Sequence, residues 1–130
     1  MKGYLDNLED ATKSNNDFLR VLHTAKHSQL AVMSIKVGEE IGEEVHGVDQ
    51  FIRFEAGMGQ VVLDGQQREV KAENAVIIPA GTRHNVVNTG NTDLKLYSVY
   101  SPPQHRHGSV HVTKADAEAH EEHFDGQTSE

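Results

Sequence analysis

Residues 38–57 read GEEIGEEVHGVDQFIRFEAG, an acidic run that passes into alternating apolar sequence and stops at a glycine. Two readings compete for it. Either Glu39, Glu40, Glu43 and Glu44 form a solvated loop ahead of a strand, or Glu44-Val45-His46 presents two ligand-bearing side chains. In an extended chain, residues two apart share a face. Glu44 and His46 then project together, with Val45 opposite. If extended geometry resumes after the Gly47-Val48-Asp49 turn, Gln50 joins them. Ile52 and Phe54 continue the interior face, and Arg53 and Glu55 point outward.

A second stretch, ENAVIIPAGTRHNVVN at 73–88, bears on the first. A short apolar run, 75–78, meets the turn Pro79-Ala80-Gly81, which delivers His84 to the start of another strand. Two imidazoles, one carboxylate and one amide oxygen suit a borderline divalent ion: Fe(II), Mn(II), Co(II), Ni(II) or Zn(II). Only a fold brings His84 to His46.

The rest of the chain narrows the fold. Its 130 residues suit one domain and bury roughly two thirds of the unfolded surface. Without cysteine, disulfides, thiolate zinc sites and cysteine nucleophiles are excluded. The opening MKGYLDNLEDATK lacks the apolar stretch of a signal peptide, and no run nears the ~20 apolar residues of a bilayer span. A soluble, cytoplasmic protein is expected. A net charge of −8 with dispersed acids disfavours nucleic acid and anionic membrane as partners.

β-rich runs at 18–25 and 30–37 precede the strand at 50–54, which Gly57-Met58-Gly59 breaks. Asp64-Gly65 joins the runs 61–63 and 66–70 as a hairpin. Runs at 75–78, 84–88 and 94–100 close the series. Many short strands with turns between them predict an all-β sandwich or barrel. A short helix is expected over 4–12, and a helix or frayed tail over 114–124. Residues 1–17 read as an N-terminal extension, 18–103 as the barrel and 104–130 as a tail that adds little to the core.

In these motifs the chain resembles a small single-domain cupin, of the cupin 2 or RmlC-like conserved-barrel family. The spacing of that family's first motif is met by Gly38, Glu44, His46, Gln50 and Gly57, and that of its second by Glu73, Pro79, Gly81, His84 and Asn88. Residues 58–72 separate them, a short interval typical of small microbial cupins. The resemblance implies an antiparallel double-stranded β-helix, or jelly-roll barrel. It also implies a divalent transition metal on His46 and His84. Three departures stand out. Glu44 replaces the family's first histidine, Gln50 replaces its glutamate, and Glu73 replaces a turn glycine. Glu44 and Gln50 complete the metal set as chemical substitutes, and the single carboxylate has moved from the third ligand position to the first.

A metal-binding cupin implies a small metabolite, such as a sugar or keto acid, held within the barrel, and an isomerase, lyase or dioxygenase. The alternative from another class is a non-catalytic binding module with weak or absent metal; a third is a purely structural dimer. Outward apolar side chains such as Phe51 and open strand edges predict a homodimer. Phe51, Phe54 and Tyr97 are read as core or dimer contacts, and Arg83 as alternating away from His84, with an acidic ligand at the barrel mouth as the alternative contact. His105 and His107 are read as an exposed loop, and His111, His120 and His123 as solvated. No nucleophile elbow, P-loop or dinucleotide-binding glycine pattern occurs.

Overall fold

The apolar runs pair antiparallel throughout residues 2–130, which the computed structural model describes. In chain order the elements are α1 (Leu8–Ser14), β1 (Leu19–Thr24), β2 (Gln29–Ile35), β3 (Asp49–Ala56), β4 (Met58–Leu63), β5 (Gln66–Lys71), β6 (Ala75–Ile78), β7 (His84–Val87), β8 (Leu94–Ser101), β9 (Val110–His111) and α2 (Lys114–Ala119). A six-stranded sheet runs β6-β3-β8-β2-β1-β9, and a three-stranded sheet runs β5-β4-β7. This is the all-β, double-stranded β-helix expected from the sequence.

Alternation decides what the sheets enclose. Ile35, Ile52, Phe54, Leu94 and Leu96 are wholly buried in the large sheet and pack in one cluster with Val61 and Val86 of the small one. Each such side chain contributes about 1.5–3 kcal/mol by leaving water. The outer face of the large sheet is partly covered by α1, which packs on β8, β3 and β2. There Lys95 reaches up from β8 to bond the Asn15 carbonyl and, at 3.0 Å, Asn16 Oδ1. Burial pushes its ammonium below the ordinary lysine range.

Turn chemistry follows the backbone. Asp64 and Gly65 both take positive φ (47° and 82°), as a two-residue hairpin between right-twisted strands requires. Gly57, at φ 86°, lies so close to the 93–94 backbone that an added Cβ would stand 2.6 Å from the Asp93 carbonyl oxygen. Asn88, the last residue of the second motif, is 3 % exposed and spends its amide on the backbone. Its Nδ2 donates to the Ile35 and Thr92 carbonyls, and its Oδ1 accepts from Gly90 N, all at 2.9 Å.

The structure corrects several local expectations. The first helix starts at Leu8, where Asn7 Oδ1 accepts from Asp10 N at 3.1 Å and fixes the start. Only Gly57 interrupts the chain before β4, which already includes Met58. Glu55 shares the outer face with Arg53, whose Nε donates to Glu55 Oε1 at 2.7 Å, but it is buried there rather than solvated, on a sheet that α1 partly covers. His111 is 6 % exposed rather than solvated, because Leu19↔His111 pairs β9 with β1.

Beyond β9 the chain returns to the barrel. Ala117 of α2 packs on the core cluster, and Phe124 N donates to the Gln104 carbonyl at 3.0 Å. Ser129 exchanges two bonds with the Thr24 backbone, and His23 Nε2 meets Glu130 Oε1 at 3.0 Å. Among the described residues no helix is long and apolar enough to cross a membrane.

Glu73, at the place of the family's glycine, sits at φ 77°, in the left-handed region where a side chain costs about 1–2 kcal/mol. Part of that cost is offset in the unfolded chain, which glycine makes more flexible. Glu73→Gly is therefore expected to raise the unfolding free energy by about 0.5–1 kcal/mol in urea titrations. A loss of stability would show that the Glu73 side chain makes a compensating interaction.

Candidate metal centre

Two backbone hydrogen bonds assemble one half of the site. Glu44 N donates to the His84 carbonyl at 2.8 Å, and His84 N donates to the Glu44 carbonyl at 2.9 Å. Residues 40–46 are not a regular strand: they run along β7 through two isolated bridges, Glu40↔Val87 and Glu44↔His84. Directly opposed residues of an antiparallel pair project from the same face. Glu44 and His84 therefore turn inward together, while Glu43 and Val45 are exposed. His46 follows Glu44 inward, and Gly81 N donates to its carbonyl at 2.8 Å.

The side chains converge. His46 Nε2 lies 2.5 Å from Glu44 Oε2, and the two imidazoles meet edge to face with ring centres 4.9 Å apart. One ligand atom from each of Glu44, His46 and His84 lies within 4.8 Å of the other two. His84 Nδ1 donates to the Thr82 carbonyl at 2.9 Å, which fixes the tautomer and leaves the Nε2 lone pair facing the site.

The large sheet supplies the other half. Gln50 and Tyr100 are cross-strand partners of β3 and β8, and both line the same cavity. Gln50 is 3 % exposed; its Nε2 donates to Ser98 Oγ at 3.1 Å, and its Oε1 is buried without a protein partner. His46 Nδ1 is buried without a protein partner as well. Leaving a buried acceptor unmet costs about 1–3 kcal/mol. A carboxylate, two imidazoles and an orphaned amide oxygen fit a divalent transition metal, which would satisfy that oxygen and offset the carboxylate charge.

Electrostatics agree with this assignment. Burial raises the Glu44 pKa, but the hydrogen bond and charge of His46, with the charges of His84 and His105, outweigh it, so the carboxyl ionises below its ordinary range. Burial, reinforced by the Glu44 charge, holds the Tyr100 phenol protonated well above its usual range.

These groups lie in a cavity of about 410 Å³, within the size range of small-molecule sites. Phe18, Leu19, Met33 and Ile52 give it apolar walls, and α2 with the chain after it contributes Lys114, Glu118, Glu121 and Glu122. Among the described residues, no arginine lines it. Arg83 points away and meets the exposed Glu43 at 3.3 Å, so it does not reach a candidate ligand.

His105 was expected in an exposed loop; it lines the cavity instead, with its ring 4.9 Å from that of Tyr100. Burial is the main cause that lowers its imidazole to a pKa of about 4. Nothing local in the sequence distinguishes it from the exposed His107, because its placement depends on the distant Gln29.

A jelly-roll barrel that closes on inward-facing histidines and a carboxylate defines the architectural class, and the comparisons with known proteins agree on the barrel. Residues 31–100 match the Cupin domain model. The chain is 51 % identical over 128 residues to the uncharacterized protein YrkC of Bacillus subtilis (strain 168), covering 93 % of this chain and 69 % of that one. The crystal structure of BH2720 from Bacillus halodurans superposes with a TM-score of 0.90 at 52 % identity, covering 92 % of this chain and 96 % of that one. A Thermotoga maritima protein described as a predicted oxalate decarboxylase is 25 % identical with a TM-score of 0.58, over 64 % of this chain and 79 % of that one. The chain belongs to the cupin family.

In the metal-free protein the His105 imidazole should titrate near pH 4 rather than 6.5, read from its ring resonances by NMR. The unfolded chain then takes up that proton first as acid is added. Stability falls between pH 6.5 and about 4 and stops responding to this group below that. His105→Gln should flatten that part of the curve. A ring titrating at 6.5 would mean that it stands in water.

Proposed function

We propose that the protein is a metal-binding cupin whose barrel holds a small oxygen-bearing metabolite, with Glu44, His46, Gln50 and His84 as the metal ligands. The observation that carries this reading is the convergence of three ligand atoms within 4.8 Å, beside the orphaned Oε1 of Gln50. The ion, when bound, would serve as a Lewis acid toward a carbonyl or enolate oxygen or would hold dioxygen beside the substrate. The chain's own groups do the rest. Glu44 supplies the one negative charge of the ligand set. The Thr82 carbonyl holds the imidazole of His84 in its ligating tautomer. Ser98 orients the amide of Gln50. Phe18, Leu19, Met33 and Ile52 give the substrate an apolar wall, and the protonated Tyr100 beside them adds no charge.

The lining also bears on the substrate. A phosphate or dicarboxylate entering the cavity would meet one lysine, no arginine and the acids Glu118, Glu121 and Glu122. An uncharged polyol, sugar or hydroxycarbonyl compound suits that lining better. The protein would work as an isomerase, lyase or dioxygenase on such a molecule. A homodimer and a cytoplasmic location accord with the outward Phe51–Tyr97 pair, whose ring centres are 6.3 Å apart, and with the absence of cysteine.

Metal affinity tests the ligand set. Glu44→Gln should weaken Mn²⁺ and Zn²⁺ binding at least about tenfold, or ~1.4 kcal/mol, in calorimetric titrations. Gln50→Ala should cost less, since water replaces a neutral amide oxygen. Glu44→His combined with Gln50→Glu restores the common cupin set and should bind at least as tightly as the natural chain. Unchanged affinity in Glu44→Gln would return the site to a metal-free binding pocket.

A further inference from the structure

One buried side chain outside the ligand set is committed to a single task. Gln29, at the start of β2, is 1 % exposed and makes four hydrogen bonds. Its Oε1 accepts from His105 N at 2.9 Å and from Gln104 N at 3.2 Å. Its Nε2 donates to the His105 carbonyl and to Thr24 Oγ1, both at 2.8 Å. Both backbone polar groups of His105 are thus held by one amide that the barrel encloses. Burying a glutamine is costly unless its bonds are all made, and here they are.

The clamp belongs to an ordered row. Thr24↔Gln29, Gln29↔Tyr100 and Gln50↔Tyr100 are successive cross-strand pairs over β1, β2, β8 and β3. The row that carries the candidate ligand Gln50 therefore also fixes the 104–105 backbone. Tyr100 packs its ring against both imidazoles, 6.2 Å from His46 and 4.9 Å from His105. Among the described residues, His105 uses only its backbone in these bonds, and its ring faces the cavity next to the metal centre.

We propose that His105 contacts the bound small molecule through a hydrogen bond to one of its oxygens and thereby helps set specificity, and that Gln29 is the residue that positions it. This rests on the metal-binding reading given above. The low pKa of the ring accords with the role, since an uncharged imidazole offers both a donor and an acceptor. The substrate class that fits is an uncharged molecule with two neighbouring oxygens, one directed to the metal centre and one to His105.

The test uses Co²⁺ as the metal and hydroxyacetone, which stays uncharged on binding, as a probe with two neighbouring oxygens. Co²⁺ affinity is measured by calorimetry, and hydroxyacetone affinity by the change it causes in the Co²⁺ visible spectrum. The wild type, His105→Ala, Gln29→Met and the double variant are compared. His105→Ala should bind Co²⁺ within about twofold of the wild type and hydroxyacetone at least about tenfold more weakly. Gln29→Met should also weaken the probe, and adding it to His105→Ala should cost little more, as expected of two residues that act through one contact. Unchanged probe affinity in His105→Ala overturns the inference, as does parallel loss of Co²⁺, which would make His105 a ligand or a structural group. Additive losses in the double variant remove the positioning role of Gln29. If Gln29→Met does not fold, His105→Ala still decides the contact. A wild type that binds Co²⁺ but not the probe refutes this substrate class and leaves the metal centre standing. A wild type that binds no Co²⁺ overturns the metal reading and the inference with it.

Discussion

The reciprocal backbone bonds between Glu44 and His84 are the constraint on which the site depends. They seat an irregular segment against the edge of β7 and set its register. A slip of one residue would turn Glu43 and Val45 inward and Glu44 and His46 out to water. The same pairing places a carboxylate beside two imidazoles at the end of an apolar barrel. Such a group is costly there unless a cation or a proton compensates it. The contact of Glu44 with His46 supplies part of that compensation, and a divalent ion would supply the rest.

The two sheets divide the work. The small sheet and its edge segment carry the carboxylate and the two imidazoles of the candidate site, Glu44, His46 and His84. The large sheet carries neutral polar groups in one row, Gln29, Tyr100 and Gln50. The amide bonds of Gln29 are complete, whereas Gln50 keeps one oxygen free of protein partners. That difference between two buried glutamines in one row is what the proposed metal ligation by Gln50 would account for. The departures from the common cupin pattern are coherent in these terms. Moving the carboxylate from position 50 to position 44 keeps one negative charge among the proposed ligands and shifts it to the less buried side of the site.

Much of this was legible in the sequence because it is local. Period-two alternation gave the strands, Asp64-Gly65 gave the hairpin, and the two motif spacings located Glu44, His46, Gln50 and His84. The rest depends on partners far along the chain. Glu55 is buried on the outer face of a sheet that α1, from far earlier in the chain, partly covers. His111 is covered because β9 joins β1, a two-residue strand too short to carry a pattern. His105 becomes part of the cavity through Gln29, which lies 76 positions earlier and reads as an ordinary polar residue at a strand end.

Anomalous diffraction from crystals of the protein as purified, with no metal added, tests the central claim most directly. The account predicts one transition-metal ion in the barrel, bonded to Glu44, His46 and His84, with Gln50 Oε1 turned toward it. An ion held by the histidines with Glu44 directed into solvent would contradict the displaced carboxylate, and an ion-free barrel with Glu44 still closed on His46 would contradict the metal centre itself.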